Sequence, residues 1–205
     1  MSTIKTLIFD FGDVFINLDK QGAMKNALEL FELDELHEDL IAIHTLYEQG
    51  LISTEEFVAF YTDNFPELSK KDIIDAWNYI LKDFPNHRLE FIKQLAKDCK
   101  YKLILLSNTN DLHISWIADN VPFYEDFKLC FDKFYLSHEV TLRKPNTDIY
   151  EFVLKENKLK PEECFFVDDT KDNTDTAAAL GIHVWNIDEN TQDIVDLFTI
   201  NKHLF

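Results

Sequence analysis

Residues 6–14 read TLIFDFGDV. A compact apolar run rich in strand formers meets an acid, Asp10, and is followed by Gly12 and Asp13. The pattern recurs along the chain. Residues 101–106 (YKLILL) run into Ser107-Asn108, and residues 164–167 (CFFV) run into Asp168-Asp169. Residues 131–136 (FDKFYL) and 183–187 (HVWNI) are two weaker runs. Continuous apolar runs of this length predict strands buried on both faces. Helical patterns separate them at residues 89–97, 112–120, 148–157 and 173–180, the last followed by Gly181 as a helix stop. Strand–helix alternation predicts an α/β fold: a parallel sheet with right-handed crossovers, sandwiched in three layers.

Residues 17–84 break the alternation. They show helical patterning at 23–31, 36–47 and 70–81, the last broken by Pro85. Ser53 followed by Glu55 and Glu56 marks another helix start. An all-helical block inserted after the first strand predicts a cap over a site. The expected division is a core of residues 1–16 and 85–205 and a cap of residues 17–84.

The chain has 205 residues, 46% of them hydrophobic, which suits a globular domain able to bury a sizeable core. Twenty Lys and Arg stand against 38 Asp and Glu, a formal charge of −18. A phosphate backbone or an anionic membrane needs a basic face, so neither nucleic acid nor membrane is an expected partner. Only four glycines are present, and they form neither GxGxxG nor a Walker A loop. Cys99, Cys130 and Cys164 are too scattered for a disulfide framework or a CxxC metal clip. No run reaches membrane-spanning or signal-peptide length, so the expected location is cytoplasmic.

Ligands of open parallel sheets bind at the carboxyl ends of the strands. Those ends carry Asp10, Gly12 and Asp13; Ser107, Asn108, Thr109 and Asn110; Arg143-Lys144-Pro145; and Asp168, Asp169 and Asp172. Converging carboxylates are costly unless a cation sits among them. An all-oxygen cluster suits Mg²⁺, a hard cation that works with substrate phosphates. An Asp in such a place can act as a nucleophile, and Ser107, Asn108 and Lys144 can hold phosphoryl oxygens. The residues alone therefore point to a Mg²⁺-dependent phosphoryl-transfer site.

Four motifs, each after a predicted strand, also resemble those of the haloacid dehalogenase superfamily in order. They are LIFDFGDV around Asp10, LILLSNTN around Ser107, RKP around Lys144, and FFVDDTKDN around Asp168-Asp169. The phrases SNTNDLH, RKPNTDIY and YEQGLIS are similar to a branch of small helical-capped phosphatases, one that includes a bacterial α-glucose-1-phosphate phosphatase. The N-terminal phosphatase domain of soluble epoxide hydrolase is a more distant likeness. The resemblance implies a Rossmann-like core with an all-helical cap, and a phosphatase forming an aspartyl-phosphate. The expected partner is then a small-molecule phosphomonoester, with a sugar phosphate favoured as substrate. It implies Asp10 as attacking carboxylate and Mg²⁺ ligand, with the Gly12 carbonyl and Asp169 as further ligands. Asp168 becomes a further ligand or an anchor behind the ligands, Ser107 and Asn108 phosphate binders, and Lys144 the cation that neutralises Asp10 and the phosphoryl group. His113 and Asn110 become candidates for the pocket wall.

Gly12 departs from the family pattern. Phosphatases of the superfamily typically carry Asp two residues after the nucleophile, where it protonates the leaving oxygen. Such acid–base catalysis is typically worth roughly 10²–10⁴-fold. Water or Asp13 would have to substitute. Otherwise the chain would be a non-catalytic binding or regulatory protein on the same fold, or would perform 2-haloacid dehalogenation, against which the paired Asp168-Asp169 argues.

Overall fold

The computed structural model describes residues 4–205, so the first three residues of the expected core segment lie outside it. Five strands form one sheet: β1 (Thr6–Phe9), β2 (Lys102–Ser107), β3 (Lys133–Leu136), β4 (Cys164–Asp168) and β5 (His183–Asn186). The order is β3-β2-β1-β4-β5 and every pairing is parallel. Side chains alternate across the pleat, and both faces are apolar. Leu7, Phe9, Leu105 and Val167 pack into one cluster, and Ile8, Ile104, Leu106 and Phe166 into the other. This is the three-layer arrangement the apolar runs predict.

The helices are α1 (Lys20–Leu30), α2 (Glu38–Glu48), α3 (Thr54–Asn64), α4 (Lys70–Asn78), α5 (Asn86–Asp98) and α6 (Asp111–Asn120). They continue with α7 (Tyr124–Lys128), α8 (Ser137–Val140), α9 (Thr147–Asn157), α10 (Lys171–Ala179) and α11 (Leu197–Ile200). The short α7, α8 and α11 have no counterpart in the sequence reading, because four or five residues are too few to display a helical period.

Helices α1 to α4 fall between β1 and α5 and share an apolar cluster of their own, built on Phe31, Tyr47, Phe57, Tyr61 and Ile73. Ser53 and Ser69 close capping boxes with Glu56 and Asp72, which fixes where α3 and α4 begin. The chain segments that enter and leave this insert pair with each other. Asn17 N donates to Asp83 O at 2.9 Å, and Lys82 N donates to Asn17 O at 3.0 Å. At its far side the insert meets the core closely. Gly50 has φ +64, and a Cβ there would lie 2.0 Å from the backbone oxygen of His138. Only glycine fits that turn.

Candidate active site

Strand order decides which residues meet. β1 is central, with β2 on one side and β4 on the other. Asp10 follows the last residue of β1, and its amide donates to Val167 O of β4 at 2.9 Å. Asp168 ends β4 and Ser107 ends β2, so the three motifs are brought to one edge of the sheet. Asp168 and Ser107 are fully buried and Asp10 nearly so.

Lys144 binds the group together. It is 1% exposed, and its ammonium lies 2.8 Å from Asp10 Oδ1 and 2.6 Å from Asp168 Oδ2. A buried ammonium is tolerable only with such partners. Its backbone is pinned by Asn108: Lys144 N donates to Asn108 Oδ1 at 2.9 Å, and Asn108 Nδ2 donates to Lys144 O at 2.8 Å. Both ends of the Asn108 side chain are thus committed to holding Lys144. One N–H of Asn108 Nδ2 remains beyond the bond to Lys144 O.

Asp168 is similarly committed. Beyond Lys144 it accepts from Thr170 N at 2.8 Å and from Asn173 Nδ2 at 2.9 and 3.1 Å. Tyr150 holds Asn173 in turn, its hydroxyl donating to Asn173 O at 2.9 Å. Of the two roles the sequence left open for Asp168, these bonds favour the anchor.

Carboxylate oxygens of Asp10, Asp168 and Asp169 all lie within 4.8 Å of one another. Three hard oxygen donors at this spacing fit Mg²⁺. The crowding is visible in Asp10. Burial, together with Asp168 and Asp169, pushes its carboxyl up to about 7 against the pull of Lys144. A cation among these groups would relieve that.

Asp13, Asp169 and Glu189 form a second close group of acids, and Lys20 already bridges two of them. The Lys20 ammonium lies 2.7 Å from Asp13 Oδ2 and 2.6 Å from Asp169 Oδ2. It is the first residue of α1, so this pair ties the insert to the sheet edge. Asp13 has φ 53 and also accepts from Leu18 N at 2.8 Å. Its carboxylate is therefore occupied locally, and as a substitute for the side chain missing at Gly12 it is poorly placed. A Cβ at Gly12 would lie 2.6 Å from Leu18 Cδ1, so the loop after β1 has closed over the glycine.

Facing this edge is a cavity of about 290 Å³ inside the insert. Lys20, Glu48, His44, Phe57, Trp77 and His113 are among its lining residues. His113 is therefore on the wall. Asn110 instead caps α6, receiving His113 N at 3.1 Å, and accepts from Trp77 Nε1 at 3.2 Å.

Sequence reasoning missed Lys20, Glu48, Asn173 and Ser137. Ser137 Oγ donates to Glu48 O at 2.5 Å and accepts from Thr109 N at 2.9 Å, which ties the loop after β2 to the insert. Asn173 carried a signal, five residues after Asp168 in FFVDDTKDN. The others depend on how the insert folds back.

A parallel sheet that gathers three aspartates and a buried lysine at its carboxyl edge defines a hydrolase of the haloacid dehalogenase type. The chain belongs to that family: the model of haloacid dehalogenase-like hydrolases matches residues 4–181. It is 31% identical, over 89% of this chain and 91% of the relative, to a D-ribitol-5-phosphate phosphatase of Bacteroides thetaiotaomicron. Among solved structures it is similar to a magnesium complex of a HAD family enzyme from the same organism. The TM-score is 0.85 and the identity 34%, covering 96% of this chain and 98% of that one. The complex of that enzyme with magnesium and inorganic phosphate matches at TM-score 0.78 and 34% identity, over 95% of this chain and 99% of that one.

Proposed function

We propose that the chain hydrolyses a small phosphorylated metabolite, a sugar or sugar-alcohol phosphate, through an aspartyl-phosphate on Asp10. It is an enzyme, a HAD-like phosphatase, and its cofactor is Mg²⁺. The observation that carries the reading is Lys144, buried and shared between Asp10 and Asp168 beside a third carboxylate, Asp169. Relatives support it: a ribitol-phosphate phosphatase by sequence, and a magnesium and phosphate complex by structure.

Asp10, Asp169 and the Gly12 carbonyl would hold the cation. When bound, it supplies positive charge to the phosphoryl oxygens. Asp10 attacks phosphorus, the bond from phosphorus to the alcohol oxygen breaks, and the departing oxygen takes a proton from water. The hydroxide so formed then attacks the phosphorus of the aspartyl-phosphate, breaking its bond to Asp10, releasing inorganic phosphate and restoring the carboxylate. Lys144 favours the ionised form of Asp10 against its burial and aims the carboxylate. Ser107 Oγ, whose one contact, to Asn108 O, is a long 3.5 Å, is the hydroxyl that meets the phosphoryl group. Residues 17–84 act as the cap that shields the reaction from water.

Phosphate release from a panel of small phosphomonoesters tests this, with wild type and Asp10→Asn, each with Mg²⁺ and with chelator. Release that disappears in both controls is expected. Release that survives Asp10→Asn, or that is absent throughout, overturns the reading.

A further inference from the structure

The cavity in the insert is small, about 290 Å³, at the lower end of the sizes that ligand sites use. It adjoins the acidic edge through two residues. Lys20 lines it and pairs with Asp13 and Asp169; Glu48 lines it and pairs with Arg143, the neighbour of Lys144. An alcohol attached to a phosphoryl group at Asp10 would extend into this space.

The walls offer no free positive charge. His44 is bonded to the Tyr61 hydroxyl, and burial pulls its pKa down to about 4. His113 contacts Trp77 O at 3.1 Å and Asn110 Nδ2 at 3.2 Å, and burial likewise pulls it down to about 4. Both imidazoles are neutral at pH 7. The Lys20 ammonium is shared between two carboxylates. Most of the remaining wall is apolar, with the rings of Phe31, Phe57 and Trp77 exposed to it.

Glu48 is the exception. Arg143 reaches it with Nη2 alone, at 2.8 Å to Oε2, while Arg143 Nε is buried without a hydrogen-bond partner. The pair is not a two-bond fork, so the carboxylate keeps capacity to accept from a ligand.

We propose that the cavity admits phosphomonoesters whose alcohol part is uncharged and hydroxylated, and that Glu48 is the specificity-determining residue, accepting a substrate hydroxyl and repelling a second anion. This rests on the phosphatase reading. The aromatic walls take the C–H faces of a sugar or sugar alcohol. A carboxylate or second phosphate in the same place would be desolvated opposite Glu48 with no cation to meet it.

The test is a matched pair, ribitol 5-phosphate and 5-phosphoribonate, which differ by a carboxylate in place of a CH₂OH. Wild type is expected to favour ribitol 5-phosphate in kcat/KM by about a hundredfold, the scale of a buried like-charge contact. Glu48→Gln should cut that ratio at least about tenfold, mainly by lowering KM for the ribonate. Ile80→Lys, which adds a cation to the wall without touching Glu48, should move the ratio the same way and covers the case in which Glu48→Gln fails to fold. Equal use of both substrates by wild type, or a ratio unmoved by the folded variants, overturns the proposal and leaves the phosphatase reading standing. No release from either substrate above Asp10→Asn overturns the proposal, and no release across the wider phosphomonoester panel overturns the phosphatase reading with it.

Discussion

At the carboxyl edge of the sheet the acids are tightly partnered by cations: Asp10 and Asp168 on Lys144, Asp169 on Lys20. In the cavity of the insert the buried polar groups are mostly neutral, His44 on Tyr61 and His113 on the Trp77 carbonyl, among aromatic rings. The two regions sit side by side and obey opposite rules. A charged cluster in a low dielectric works only if every partner is present, so its members are interdependent. A neutral aromatic wall tolerates exchange one residue at a time. On the proposed reading, chemistry is fixed in one region and selection left adjustable in the other.

The largest expected effect belongs to the charged region. Asp10→Asn should lower phosphate release by on the order of 10⁴-fold or more, the usual scale for removing a nucleophile. The fold should survive, since an amide replaces a carboxylate of the same shape. An Asp10→Asn protein that retains activity would dissolve the contrast between the two regions.

Lys144→Met comes next. It leaves Asp10 and Asp168 facing each other without their cation, and breaking such a buried pair costs about 3–5 kcal/mol. Urea unfolding without added metal measures it. A loss under 1 kcal/mol would mean the edge is far wetter than its burial indicates.

Acid should separate the regions by sign. His44 and His113 titrate near about 4 when folded, and at an ordinary value near 6.5 when unfolded. Between those values the unfolded chain holds more protons, so stability falls as pH drops through that window and is fully present above it. The raised Asp10 works in the opposite direction, so the melting temperature is best followed in Asp10→Asn. Adding His44→Gln to that background should flatten the decline. A slope unchanged by His44→Gln would show that the imidazole is already hydrated.

Two smaller effects probe where the regions join. Gly50→Ala puts a methyl group against His138 O at a left-handed position and should cost about 1–3 kcal/mol in thermal or urea unfolding. Lys20→Ala removes two ion pairs whose ammonium is half-exposed and whose carboxylates are buried, so its cost should fall between the exposed and buried cases, about 1–3 kcal/mol in stability. A severalfold rise in KM is the more sensitive readout of that variant.

Much of this was legible in the sequence, for a local reason. The three central strands, β1, β2 and β4, carry unbroken apolar runs, and the acids and amides at the edge follow directly on them, as in LIFDFGDV and FFVDDTKDN. Reading the end of a strand therefore reads part of the site. What supports those residues was not legible. Nothing near Asn108 in the chain shows that its amide also clamps the Lys144 backbone, 36 positions away. Lys20 looks like a surface lysine until α1 turns it onto Asp169, 149 positions away. Glu48 lies in YEQGLIS with nothing nearby to suggest Arg143. Such partnerships exist only once distant parts of the chain are folded together, and two of the three need the insert to lie over the sheet.

The pairing of Asn17 with Asp83 has one further consequence. The two residues are far apart in the chain yet hydrogen-bonded, so everything between them leaves and returns through a single doorway. A short turn could join them and let the sheet close without its lid. Exchange of the intervening segment for another of similar ends would then alter what is admitted while leaving the aspartates untouched. One machine could in this way serve many substrates through replacement of a removable part.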